Sequence, residues 1–214
     1  MKKLIRITIT GCILLNSLIA VSQTGMETVT KMHKRYAGKW YKTFTFTQTT
    51  EHYRNDSLKQ SATWYEASMF PYDLRIDIGD RKNGNSVIYR KDSTWRFQKG
   101  ELKGVTPDTN PFTFLLGGMY HVSLKNMIQY FQDQEYDLTK GCTTYWKNRK
   151  TLVVGTDDIA DSTKKQFWVD AEHLYLVRTI ETNNKVTFDA HMENHVQLGK
   201  GWSETLVTFY FNGV

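Results

Sequence analysis

The sequence is poor in cysteine, with two in 214 residues. Cys12 falls in an apolar leader, so Cys142 is the one cysteine that follows it. No intramolecular disulfide can then form, and the fold must depend on its hydrophobic core. Beyond the leader, no segment has the ~20 apolar residues that a transmembrane helix requires. The sequence therefore argues against a disulfide-stapled domain and against an integral membrane protein.

Motifs for the common hydrolases and nucleotide-binding proteins are missing as well. There is no Gly-x-Ser-x-Gly turn, which disfavours an α/β-hydrolase. No glycine-rich loop follows a strand and opens a helix, as a phosphate-binding loop would. Cys142 with His121 or His173 is conceivable as a nucleophile and its base, but a lone cysteine among strand residues is more often a small buried hydrophobe. We expect no catalytic residue and no cofactor, and a secreted hydrolase is the least supported function.

A pair of histidines, His191 and His195, has the i, i+4 spacing that binds zinc on a helix. The acid of the metalloprotease motif directly follows the first histidine, whereas here it comes two residues later. The preceding residues alternate between apolar and polar, which predicts a strand. On a strand the two histidines would be about 13 Å apart, too far for one metal ion. We therefore expect no metal site.

The first 22 residues have the pattern of a secretory signal peptide. Three basic residues precede an apolar run over positions 7–21. Ala20 and Ser22 provide the small residues at the −3 and −1 positions of a cleavage site before Gln23. The alternatives are a membrane anchor and, at Cys12, a lipid attachment site. Polar residues interrupt the run and few apolar residues precede Cys12, which weakens both alternatives.

Removal of the leader leaves residues 23–214, enough for one domain with a sizeable core. The leader holds three basic and no acidic residues, so its loss lowers the formal net charge from +6 to +3. The remaining basic residues are scattered, and export separates the protein from nucleic acid, which is not an expected partner. The predicted location is the periplasm, in soluble form.

Residues 64–100 predict four short strands joined by tight turns. Leu74, Ile76 and Ile78 alternate with charged residues, which is the pattern of a half-buried strand. Pro71 and the Asn-Gly pair at 83–84 stand where turns are needed. Such a meander builds a curved antiparallel sheet with one apolar face.

The remaining segments predict two clear helices and further strands. Thr24 and Glu27 have the spacing of a capping box before a helix over 26–37. Ser123 caps a second helix over 124–135. A long strand is predicted over 39–53, a hairpin loop over 55–60, and an apolar segment over 112–116 that is too short to assign. Six more strands follow, over 143–147, 151–155, 164–170, 174–181, 186–197 and 202–211. The predicted fold is α+β: a single large curved antiparallel sheet of about ten to eleven strands, forming an unclosed half-barrel with helices covering the concave face.

Several segments together resemble the periplasmic outer-membrane lipoprotein carrier (LolA/LolB-like) superfamily. They are the N-terminal helix, Trp64, the run from Pro71 to Asp77, residues 87–100 with Phe97 and Gly100, and the late strands 166–170 and 174–178. The likeness covers nearly the whole chain after the leader. It implies an unclosed barrel whose helices leave an apolar cavity for acyl chains, and it implies no catalysis.

The resemblance predicts an exported carrier for lipid, lipoprotein acyl chains or another apolar ligand. The alternative is an interaction module of the same fold, with a filled cavity and an envelope protein as its partner. Phe112–Tyr120 could form either a lid over the cavity or a permanent plug in the core. The candidate cavity residues are Trp64, Leu74, Ile76, Tyr89, Trp95, Phe97, Phe112, Phe114, Leu115, Leu116, Met119, Ile128, Phe131 and Trp168.

Overall fold

The computed structural model describes residues 23–213, so the predicted signal peptide lies outside the described residues. Its elements are α1 Gly25–Tyr36, β1 Thr43–Arg54, β2 Ser57–Met69, β3 Asp73–Ile78, β4 Ser86–Arg90, β5 Ser93–Gln98, β6 Glu101–Thr106, α2 Pro111–Leu115, α3 Leu124–Asp133, β7 Gly141–Trp146, β8 Arg149–Val154, β9 Gln166–Asp170, β10 Leu176–Asn183, β11 Val186–Glu193, β12 Val196–Leu198, β13 Gly201–Ser203 and β14 Leu206–Phe211. Short 3₁₀ turns occupy Arg81–Asn83 and Gly118–His121. Within this part of the chain no helix combines the length and apolar character needed to cross a bilayer.

Both helix starts form as the sequence predicts. The Thr24 side chain accepts a hydrogen bond from the Glu27 backbone, and the Glu27 carboxylate accepts one from the Thr24 backbone. These reciprocal bonds satisfy two amide groups that a bare helix end leaves unpaired. The Ser123 hydroxyl caps α3 by accepting from Asn126. The buried residues of α1 include Val29, Met32 and Tyr36, the predicted apolar stripe.

The strands form two six-stranded antiparallel sheets and one small hairpin. The first sheet has the order β1-β2-β3-β4-β5-β6, and the second has the order β14-β11-β10-β9-β8-β7. Strands β12 and β13 pair only with each other. The predicted α+β class with unclosed antiparallel sheets is confirmed. The prediction of a single sheet is wrong, because side-chain alternation reports which face a strand buries but not which edges hydrogen-bond.

The predicted loop over 55–60 is much shorter in the structure. Asn55 and Asp56 both adopt positive φ angles, of 51° and 56°. Two such residues form the two-residue turn that matches the twist of a hairpin. Residues 57–60, which are polar except for Leu58, therefore join β2, and β2 pairs with the end of β1. Their polarity reflects exposure at a hairpin tip and not the absence of a strand.

The main hydrophobic core lies between the helices and the second sheet. It contains buried side chains from α1, α2, α3, the 3₁₀ turn at Gly118–His121 and strands β8 to β11. Among the described residues, none from β1 to β6 belongs to this cluster. The helices thus cover one sheet and leave a face of the other without a helical layer.

Candidate ligand-binding surface

One face of the first sheet brings together four of the predicted cavity residues. Trp64 pairs with Ile78, Leu74 with Tyr89, and Ile76 with Glu66. Residues directly opposite each other in an antiparallel pair lie on the same face. The inner face, as we call this surface, also carries residues that the cavity prediction omitted, namely Phe44, Phe46 and Val87.

The inner face is apolar yet only partly covered. Leu74 and Ile76 are 7% and 6% exposed, although they belong to neither hydrophobic cluster. Their sheet neighbours Phe46, Trp64 and Tyr89 are only half-buried. Apolar area that remains exposed beside buried side chains can lose more contact with water when an apolar ligand covers it.

Two unpaired carboxyl groups stand at this face. Glu66 lies in the middle of it, opposite Phe46 and Ile76. Glu204 follows β13 and lies close enough to Glu66 for their charges to interact. Neither carboxylate accepts a hydrogen bond from the side chain of another described residue, and neither forms an ion pair with one. Burial and, for Glu66, the neighbouring Glu204 raise the pKa of each group from 4.5 to about 7.

A narrow slot lies next to Glu204, at the edge of the main hydrophobic core. It is lined by Trp40, Leu116 and His195 among others, and its volume of about 10 Å³ is close to the space of one water molecule. His195 Nε2 lies 2.9 Å from the backbone oxygen of Leu176, so Nε2 carries the hydrogen and Nδ1 is left as an acceptor. Burial lowers the pKa of His195 to about 4, which keeps its ring neutral at pH 7.

The side of the second sheet that faces the helices continues beyond them as an aromatic cluster. Phe188 has ring contacts with Phe112, Phe209 and Phe211 at centroid distances of 6.2, 5.5 and 5.4 Å. Phe209 and Phe211 are 46% and 55% exposed. The cavity prediction contains only Phe112 of this group. The alternating phenylalanines of β14 were the available signal, but alternation does not identify the element that they face.

Other predicted cavity residues lie elsewhere. Trp95 and Phe97 alternate with Thr94 and Arg96, which pair with the inner face, so both rings stand on the opposite face of the first sheet. Trp95 is 37% exposed there. Trp168 is buried, but in a second cluster with Val153, Tyr175 and Val177. These three aromatic residues therefore do not share the inner face with the other four, because strand periodicity does not say which of the two faces a side chain lies on.

Most of the segment from Phe112 to Tyr120 is buried in the main hydrophobic core. Phe114, Leu115 and Met119 are between 1% and 5% exposed, and Phe131 of α3 is fully buried beside them. The remaining predicted residues lie half-buried at the margin of this core: Phe112, Leu116 and Ile128.

The two histidines do not converge on a common site. His191 belongs to β11, as the strand prediction requires, and its Nε2 is 3.1 Å from Asp189 Oδ1. Asp189 also receives two hydrogen bonds from Arg178. His195 lies beyond the strand and contacts Leu176 instead. No group of three metal-binding side chains is found among residues 23–213.

Comparison with known proteins identifies the fold but no family. No protein-family model and no curated protein matches the chain. The structure is similar to the crystal structure of a DUF1329 family protein from Desulfovibrio piger, with a TM-score of 0.55, 12% identity, and coverage of 87% of this chain and 84% of that chain. It is also similar to a LolA superfamily protein from Nitrosomonas europaea, with a TM-score of 0.49, 11% identity, and coverage of 88% and 86%. The likeness to the DUF1329 family structure concerns the fold alone.

Proposed function

We propose that this chain is an exported carrier that binds lipid, the acyl chains of a lipoprotein or another apolar ligand, and releases it without chemical change. The observation that carries the proposal is the inner face of the first sheet. Aromatic and aliphatic side chains are gathered there, and the helical layer packs on the other sheet. An apolar chain laid along Phe46, Trp64 and Tyr89 would complete the burial that the fold leaves unfinished.

The energetics suit reversible binding. Ten methylene groups moved out of water contribute about 8 kcal/mol, at roughly 0.8 kcal/mol each. The loss of translational and rotational freedom opposes this by about 4 kcal/mol or more. The net binding free energy that remains is enough to bind a ligand and small enough to allow its release, as transfer between partners requires. A longer acyl chain, or a second chain against the aromatic cluster at Phe209, would add to it.

The described residues also favour binding over catalysis. Burial raises the pKa of the Cys142 thiol, so the reactive thiolate is less available. Burial lowers the pKa of His195, and its Nε2 is engaged by a backbone oxygen. Glu66 and Glu204 lie close together but have no nucleophile hydrogen-bonded to them. Glu66 and Glu204 are therefore better suited to contact the polar end of a ligand than to act as a catalytic acid and base.

Organic extraction of the purified protein, followed by mass spectrometry, tests the proposal. We expect a lipid that co-purifies with the wild type and is depleted in a Trp64→Ala variant. The Trp95→Ala variant is the matched control, because Trp95 is on the opposite face of the same sheet, and it should retain the lipid. Wild-type protein that carries no lipid and binds no fluorescent fatty acid would overturn the carrier and favour the alternative, an envelope interaction module with a filled interior.

A further inference from the structure

A second depression lies between α1 and the second sheet, away from the inner face. Its volume is about 430 Å³, within the usual range of small-molecule sites. Three apolar residues, Leu152, Ala171 and Leu174, form part of its lining, and Leu152 and Leu174 are themselves buried. The depression is open to solvent on its other side.

Four basic residues surround this depression. Lys31, Lys34 and Arg35 come from α1, where positions i, i+3 and i+4 share one face of a helix. Lys150 comes from β8, against which α1 packs. Basic groups from two different elements thus line the same depression. The charged face of a single exposed helix could not account for this arrangement, because Lys150 belongs to a strand.

These charges are largely uncompensated. Within the described part of the chain, Lys31, Lys34 and Lys150 form no ion pair or side-chain hydrogen bond. Arg35 donates to the backbone oxygen of Glu172 and so keeps its positive charge unneutralised. The single acid of the lining is Glu172, whose exposed carboxylate is 3.9 Å from His173 Nε2. Several like charges around one concave surface focus a positive potential into it.

We propose that this depression binds the phosphate head of an anionic amphiphile. Arginine and lysine donors from several directions match the oxygens of a phosphate group. The volume of about 430 Å³ is within the range of small-molecule sites, so it admits more than a bare phosphate ion. The apolar side chains of Leu152 and Leu174 give the first carbons beyond the phosphate a surface to contact.

Titration of the purified protein with three probes tests the proposal. The probes are inorganic phosphate, dihexanoyl phosphatidic acid, and dihexanoyl phosphatidylcholine, each below its micellar concentration. We expect phosphatidic acid to bind more tightly than either of the others, and its affinity to fall as salt is raised. Phosphatidic acid compared with inorganic phosphate tests the apolar contact. Phosphatidic acid compared with phosphatidylcholine tests whether the phosphate must be free of a choline group.

Paired variants separate the site from general charge effects. Lys34→Ala with Lys150→Ala should weaken binding of phosphatidic acid by about tenfold, since the double variant removes two charges that attract the phosphate from two different elements. Lys59→Ala with Lys125→Ala removes the same charge from exposed positions outside the depression, and should leave the affinity unchanged. Equal loss in both pairs, no loss in the first pair, no binding of phosphatidic acid, or equal binding of all three probes would each overturn the proposal. The carrier function would remain, because the inner face contributes nothing to this depression.

Discussion

At the scale of single residues, Glu66 and Glu204 make stability depend on pH. Their pKa values of about 7 in the folded protein lie above the ordinary value of 4.5. The folded chain therefore holds protons that the unfolded chain releases between these values. The stabilising contribution is fully present below about pH 4.5 and is lost as pH rises through 7.

We expect the melting temperature to fall between pH 5 and pH 8, and the fall to be smaller in Glu66→Gln. The amide stays neutral across this range, so its burial costs the same at both pH values. Glu101→Gln is the control, because Glu101 is exposed and paired with Lys103. Thermal unfolding at the two pH values measures the effect. An equal dependence on pH in the Glu66 variant and the wild type would contradict this assignment.

Trp64 and Trp95 offer a matched pair of tryptophans on opposite faces of one sheet. Trp64→Ala should weaken binding of a fluorescent fatty acid by about tenfold. This corresponds to a loss of roughly 1.4 kcal/mol of binding free energy, which a modest apolar contact area between the indole ring and the ligand would supply. Trp95→Ala should bind like the wild type. Both side chains are at least partly exposed, so neither change should lower the melting temperature by much. A larger loss in the Trp95 variant would place the ligand on the other face.

At the scale of elements, the helical segment after β6 divides into a buried and an accessible part. Leu115 is 5% exposed within the core, whereas Leu116 is half-buried and lines the slot beside Glu204. Leu115→Glu would bury a charge without a partner, which costs several kcal/mol, and should unfold the protein. Leu116→Glu should stay folded and lose uptake of the fluorescent fatty acid.

Circular dichroism and a fluorescence titration of the two variants decide between a lid and a plug. If Leu116→Glu unfolds like Leu115→Glu, the whole segment is a plug and has no part in binding. If Leu116→Glu remains folded and binds the probe normally, the ligand does not approach the slot. Leu116→Met, similar in volume and uncharged, should resemble the wild type in both measurements.

At the scale of the whole molecule, the leader predicts export. Expression of the full chain in a Gram-negative host should give a periplasmic protein whose first residue is near Gln23. The physical reason is the short apolar run with basic residues before it and small residues after it. Fractionation and N-terminal sequencing check this outcome. A chain that retains residues 1–22 in the membrane fraction, or carries lipid on Cys12, would contradict it.

The sequence by itself determined the local structure. The capping box at Thr24, the cap at Ser123 and the alternation of Leu74, Ile76 and Ile78 are short-range signals, and the structure contains the elements that they predict. Four of the predicted cavity residues also share one face, because strand register follows from alternation and turn length. The α+β class follows from the order of these elements.

Only the tertiary structure decided where the faces point and which edges meet. Trp95 has the same apolar, strand-forming character as Trp64, yet the two lie on opposite faces of the first sheet. Alternation along a strand separates its two faces but does not say which of them is the inner face. The split into two sheets arises because β6 and β7 are edges of different sheets, and alternation along a strand does not say whether two edges hydrogen-bond. The proximity of Glu66 to Glu204, and of Lys34 to Lys150 around one depression, brings together residues more than a hundred positions apart. Such contacts are set by the packing of whole elements, which periodicity along the chain does not encode.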